Sequence, residues 1–445
     1  MDAHMPWWWW LGRMVVLAAL VLSVPWAARR VRGDEYARRT VVWLTLLGGM
    51  LGAHVHLWHS WGYRGELNSF EVGLPLWGSV VLLLGADMPF RHALRQVLRH
   101  PLMLCWIAYV AVMCASIALA MAPLYTAYEI CRLIEQSLWL WVMAAILIRD
   151  ECTGLLLWTL FGQTVALFVL AMVELFGLGA HRAWGWFAHP NHLAAFAELV
   201  GMLLLAQAMY RGPMRWRLFA ALGGLLCFAL LLASASRAGL ASWVIGLGVV
   251  LLLSYRHGQW SMRSTLKWLL PSVLLLMLLE VLLLPGVLER MTHASVYTWL
   301  TRWTQIKGGM QIIADHPWGV GLNNYVHMLN SVDAYGRMLN PVDRGVMHNI
   351  YLLHWVEAGP LGLLTFLLLW GIAMRMAWRW RGAGGRAWVV GCCAALAAVG
   401  VHGMLDWVLR YAPLAYTWSL VLALLIAYTM RSGRIQRDST AARMP

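Results

Sequence analysis

The sequence predicts an all-α polytopic membrane protein, and three observations carry that prediction. The chain of 445 residues is 61% hydrophobic and only 12% charged. A soluble domain of this length carries roughly twice that charged share. Apolar runs near the length of a bilayer-crossing helix recur from end to end. Basic residues gather in the short segments between alternate runs, the pattern that the positive-inside rule produces.

Taken in order, the apolar runs fall near residues 7–27, 40–59, 71–88, 101–121, 127–148, 153–178, 191–210, 218–235, 238–254, 268–285, 348–374, 387–407 and 412–430. This predicts about twelve or thirteen membrane-spanning helices. The first run is too long for a signal peptide and lacks a small-residue cleavage site, so it reads as a retained helix. Its opening Trp7–Trp10 suits the aromatic belt of a membrane interface.

Basic clusters at Arg29–Arg39, Arg91–Arg99, Arg211–Arg217, Arg256–Lys267, Arg375–Arg386 and Arg431–Arg443 fall on one side by alternation, which makes that side the cytoplasm. The N-terminus is then outside and the C-terminus inside. One long loop, 286–347, faces outward and is expected to contain short helices. It divides the chain into an N-terminal helix bundle (1–285), the loop itself (286–347) and a C-terminal group of helices (348–445).

The net charge of +14 would suit a nucleic-acid partner, but the topology assigns most of it to anchoring against the lipid bilayer. No nucleic acid is expected as a partner. The seven cysteines lie in or beside apolar runs with no metal-like spacing, and read as free thiols. "HVHLWH" places His54, His56 and His59 near an outer end, with no carboxylate or cysteine beside them, so an interfacial structural role outweighs a metal. "HPNH" is likewise a poor zinc pair. Glu129, Arg132 and Glu135 step by three along one helix face and read as a structural ion pair.

Several basic residues remain beyond those needed as cytoplasmic anchors, among them Arg182, Arg237 and Arg302. They map to the outer side and suggest an anionic ligand such as a phosphate. Three stretches converge there. In "YTWLTRWTQIKGGMQII", Trp299, Trp303, Ile306, Met310 and Ile313 form one apolar helical stripe with Arg302 beside it, so a helix lies on the membrane surface or caps the bundle. In "SASRAGLAS", small residues leave Arg237 as the large group of a tight turn. In "HRAWGWFAHPNHLAAFAEL", Pro190 and Asn191 read as a helix start, with Asn as a good cap. His348 and Asn349 stand on the same side, at the mouth of the 348–374 run. Glu174, Glu198, Glu280, Glu357 and Asp406 stay open as residues that could orient arginines or contact a sugar.

Several of these stretches resemble a known family. "SASRAGL" is similar to its S-x-S-R-x-x-L signature, and "RWTQIKGGMQIIADHPWGVGLNNY" to its Arg…HP-x-GVG segment. "HNIYLLHWVEAGPLG" is similar to its H-N-x₉-G-x-x-G segment, and "FAHPNHLAAF" to its N-P-N-x-x-A element. This is the O-antigen ligase and polymerase family, which includes lipid A-core O-antigen ligases, Wzy-type polymerases and protein O-oligosaccharyltransferases. The chain departs from it in having "HPN" where the family carries N-P-N.

The resemblance implies transfer of a glycan from an undecaprenyl-diphosphate-linked donor to an acceptor hydroxyl, on the periplasmic side of a bacterial inner membrane, with no metal and no cofactor. The expected acceptor is lipid A-core or a growing glycan. The residues suit that chemistry. A sugar diphosphate carries its own leaving group, so charge stabilisation and a base are what the reaction needs. Arginine offers forked donors to phosphate oxygens, which makes Arg237 and Arg302 the first candidates and Arg182 the third. Histidine titrates near neutrality and accepts a proton, which makes His348 the candidate base. Asn349 and Asn191 are expected in support. A Wzy-type polymerase is the nearer alternative. A lipid-linked sugar transporter is the more distant one, disfavoured because the special residues crowd one face and no internal repeat is visible.

Overall fold

The computed structural model describes residues 7–59, 69–150, 152–210, 212–259, 274, 278, 296–337, 339–340, 343–380, 382 and 385–441. These are overwhelmingly α-helical. Nine helices among them are long and apolar enough to cross a membrane, and Leu74–Leu84 and Arg386–His402 are shorter apolar helices. The chain is an all-α polytopic membrane protein. Apart from residues 274 and 278, the expected run at 268–285 lies outside the described residues. The helices fall into two compact units, one of Met1–Arg149, Thr304–Met347 and Leu352–Leu367, the other of Asp150–Trp303, His348–Tyr351 and Leu368–Pro445.

In the first unit, α1 (Trp7–Gly33) exposes an apolar surface, with Leu22 and Val21 among its outward residues. Helix α2 (Glu35–Leu51) starts at Asp34, whose carboxylate accepts from the Tyr36 and Ala37 N–H groups, and stops at Gly52 with φ +66°. The apolar run expected as one helix over 40–59 therefore breaks. Its second part is strand β1 (His54–His59), paired antiparallel with β2 (Ser69–Gly73). Helices α3 (Leu74–Leu84), α4 (Met88–Leu98), α5 (Pro101–Ala115) and α6 (Pro123–Arg149) come next in the chain.

Three charged residues in the first half of α6 form pairs, one of them with the hairpin. Arg132 bonds Glu129 as the spacing predicts, but Glu135 turns to His54, 3.3 Å away. His56 Nδ1 lies 2.7 Å from Ser69 Oγ and 3.2 Å from Glu71. The two described histidine side chains of "HVHLWH" thus tie the hairpin into the unit.

Also in this unit, the "HPWGVG" turn locks onto the segment Val356–Gly359. Val320 N–H donates to Val356 O at 3.0 Å and Gly321 N–H to Glu357 O at 2.9 Å. Gly319 has φ +99°, and a Cβ there would stand 2.6 Å from Glu357 O. Gly359, φ +66°, would meet Trp318 O at 2.4 Å. Asn324 accepts from Ala122 N–H at 2.6 Å and donates to Thr126 Oγ1 at 2.8 Å. These motif residues do structural work: each glycine sits where L side chains are strained or where no side chain fits.

The second unit is built around α8 (Pro190–Met209), buried along nearly its whole length. Against it pack α7 (Thr153–Met172), α9 (Met214–Ala233), α10 (Arg237–Arg256) and α14 (Arg386–His402). Small residues let the backbones close in, as membrane helices require. A Cβ at Gly391 would be 2.8 Å from Leu203 Cα, and one at Gly239 would be 2.8 Å from Ala194 Cβ. Helix α11 (Val296–Asp315) begins in this unit and ends in the first, where α12 (Tyr325–Ser331) succeeds it. Helix α13 (Ile350–Arg379) is kinked at Gly359–Pro360. Helix α15 (Ala412–Ala441) closes the chain. None of the seven cysteines forms a disulfide among the described residues.

Candidate active site

Every candidate side chain, Arg182, Asn191, Arg237, Arg302, His348 and Asn349, lies in the second unit. What gathers several of them is Asp406, a residue that sequence reasoning left open. It sits in the turn between α14 and α15 and is 1% exposed. One carboxylate oxygen, Oδ1, accepts from the Trp407 N–H at 2.8 Å and lies 3.2 Å from His348 Nδ1. The other, Oδ2, accepts from Asn191 Nδ2 and lies 4.0 Å from Arg302 Nη2.

The local sequence explains each placement. Asn191 does not cap α8. His189 does, its Nδ1 accepting from the Asn191 N–H at 3.2 Å, with Pro190 at the first helical position. The Asn191 amide is thereby released for side-chain bonds. Its Oδ1 accepts from Arg182 Nη2 at 2.9 Å while its Nδ2 donates to Asp406. Arg182 also donates its Nε to Ser234 O at 2.8 Å. The loop bearing Arg182 is held by Glu174, whose Oε2 accepts from the Trp184 and Gly185 N–H groups, and by the Ala183 N–H on Ala233 O.

His348 precedes α13 and is fixed through its neighbours. Asn349 Nδ2 donates to Met404 O at 3.1 Å, the Ile350 N–H to Gly403 O at 2.9 Å and Tyr351 OH to Gly400 O at 2.7 Å. All three anchors lie on the end of α14 and the turn that succeeds it, the turn that carries Asp406. The histidine and its carboxylate are therefore set by one piece of backbone. With Nδ1 toward Asp406, the His348 side chain is 25% exposed.

Arg237 opens α10, where Ser236 caps the helix by accepting from the Gly239 N–H at 3.2 Å. The half-buried Arg237 guanidinium has no hydrogen bond or ion pair with any described residue. The Gly239–Ala194 approach sets this helix start beside that of α8. Arg302 meets Asp406 only at the 4.0 Å limit of an ion pair. Both guanidiniums keep donor capacity for a ligand. The stripe beside Arg302 faces outward at Trp299, Trp303 and Met310, while Ile313 is buried.

The electrostatics of Asp406 derive from its neighbours. Burial alone would push its carboxyl up. The His348 imidazole, then His402 and His192, overcome that and hold it well below the usual carboxylate range. With the carboxylate toward Nδ1, the other ring nitrogen of His348, Nε2, is the one not turned to Asp406. Asp406 therefore brings together an imidazole, an amide and, at the 4.0 Å limit, one guanidinium, the Arg302 group, of a kind suited to phosphate.

Residues 222–367 match the O-antigen ligase family. The match spans roughly a third of the chain and includes Arg237, Arg302, His348 and Asn349. Arg182, Asn191 and Asp406 lie outside it. Asp406 reaches it through His348 and Arg302, and Arg182 through its bond to Ser234. The match supports the O-antigen ligase family for this chain, and a glycan-transferring membrane enzyme of O-antigen or polysaccharide assembly. No curated protein matches the chain.

Sequence reasoning missed the importance of Asp406 because an aspartate at the end of an apolar run has many uses. A signal was present: it is the acid of "HGMLDWVLR", between two apolar runs and on the side assigned to His348.

Proposed function

We propose that this protein is an inner-membrane glycan transferase that moves a glycan from undecaprenyl diphosphate to an acceptor hydroxyl on the periplasmic side. The reading we favour is ligation of O-antigen to lipid A-core, in keeping with a family described as O-antigen ligase; polymerisation of the glycan is the alternative. The observation that carries the reading is His348 Nδ1 at 3.2 Å from a buried, ionised Asp406, with Arg302 beside the same carboxylate.

In the reaction, His348 Nε2 takes the proton of the acceptor hydroxyl. The acceptor oxygen forms a bond to the anomeric carbon as the bond from that carbon to the phosphate oxygen breaks. The electron pair leaves on the diphosphate, where Arg237 and Arg302 spread the charge. One displacement inverts the anomeric centre. Asp406 stabilises the imidazolium that forms. Arg182 serves the site through Asn191, and Asn349 fixes the segment bearing His348. No metal enters these steps.

Arg237→Lys and Arg302→Lys test the diphosphate role, because a point charge does not reproduce the guanidinium fork. Purified protein is given a defined lipid-diphosphate-linked glycan with either lipid A-core or free glycan as acceptor, in the presence of a chelator. Transfer to lipid A-core that drops at least about tenfold in each lysine variant, with weakened donor binding, supports the reading. Near-full transfer and donor affinity in both variants would refute the clamp. Elongation of the glycan with no transfer to lipid A-core makes the enzyme a polymerase. Activity that vanishes with chelator and returns with a divalent ion overturns the metal-free route.

A further inference from the structure

Behind Asp406 lies a second acid–imidazole pair that the proposed mechanism does not use. Glu198, midway along α8, and His402, the last residue of α14, are both fully buried, with Glu198 Oε1 2.7 Å from His402 Nδ1. Glu198 Oε2 and His402 Nε2 have no hydrogen-bond partner among the described residues. Taking such a pair out of water is costly, and apolar residues of similar volume usually hold helices together at least as well. Here the helices have that packing already, at the Gly391–Leu203 contact. Joining α8 to α14 does not account for the pair.

Its position does. The Leu405 N–H donates to His402 O at 2.9 Å, so the turn that carries Asp406 starts on His402. His402 also interacts electrostatically with Asp406 and Arg302. The charged and titratable groups around Asp406 are His192 and Glu198 from α8, His402 from α14, Arg302 from α11 and His348 before α13. Arg182 reaches it only through Asn191.

We propose that Glu198 and His402 form a positioning dyad that acts through Asp406 to keep His348 in its proton-accepting form. This rests on His348 being the base. Glu198 holds the His402 imidazolium on the turn. That imidazolium shares the charge of Asp406, which otherwise falls undivided on His348 and favours its protonated form. Neither member touches substrate.

The test is the pH profile of kcat/KM for the purified full chain with the lipid-linked donor. Glu198→Gln and His402→Gln should move the acid limb to higher pH by about 0.5–1 unit, the scale of one charge acting through a partly buried site. Donor KM should stay within about twofold, because the change acts on proton affinity and not on the phosphate clamp. Glu198→Asp, which keeps the charge, should return the limb most of the way. If the polar variants do not fold, the paired replacement Glu198→Met with His402→Phe supplies apolar packing and should show the same shift. An unmoved limb in the folded variants, with kcat falling only in step with thermal stability, overturns the dyad. His348→Ala separates the two ideas: if it stays active, the base assignment fails, whereas an inactive His348→Ala beside an unmoved limb removes the dyad alone.

Discussion

At the residue scale, one carboxylate organises the site, and its removal has a distinct signature. Asp406→Asn keeps the shape and an acceptor for Asn191, but it loses the charge that, in the proposed mechanism, stabilises the His348 imidazolium. Transfer should fall by about 10²- to 10⁴-fold in kcat with donor KM little changed. A stopped-flow or quenched transfer assay at saturating donor reads this directly. The same carboxylate links stability to pH. Its folded pKa is depressed, so its contribution is complete above the unfolded value near 3.9 and is lost as pH falls through the folded value. The gap in melting temperature between wild type and Asp406→Asn should therefore be constant at neutral pH and narrow below about pH 4. Asn191→Ala removes the bridge between Arg182 and Asp406, and it should lower kcat more than donor affinity.

At the scale of single elements, sequence patterns were sound where one force dominates and misleading where two compete. The long helices α6 to α10 track their apolar runs closely, because in a bilayer the backbone has no partner but itself. The run at 40–59 is equally apolar, yet Gly52 stops the helix, and His54–His59 pairs as a strand with Ser69–Gly73. Nothing in hydropathy distinguishes those outcomes. Asn191 reads as a cap from its propensity, but His189 occupies the cap and frees the amide for Asp406. The glycines of "HPWGVG" and "EAGPLG" stood out as motif positions, and the structure gives them a packing reason. Gly319→Ala should destabilise the protein by about 1–3 kcal/mol or more, from positive φ together with the contact on Glu357 O. Thermal unfolding in detergent measures it. A wild-type melting temperature would mean that the turn relaxes away from Glu357.

At the scale of the whole molecule, the fold class was legible in composition and charge alternation, and the candidate residues in motifs and surplus arginines. The partnership of His348 with Asp406 was not, since the two stand far apart in sequence and meet only through the bonds from Asn349 and Ile350 to the turn after α14. The charge pattern also predicts sidedness. Ala334→Cys, exposed in the 286–347 loop, should react with a membrane-impermeant thiol reagent from outside, and His92→Cys only after permeabilisation, in a background where the exposed Cys131 is replaced. Labelling of Ala334→Cys only after permeabilisation would invert the topology. The most direct test of the mechanism is the transfer rate of His348→Ala on a defined lipid-diphosphate-linked glycan with its acceptor. The residue sits at a helix entrance and is partly exposed, so the variant should fold and bind donor normally while transfer falls by about 10²- to 10⁴-fold. Full turnover by His348→Ala would contradict the account.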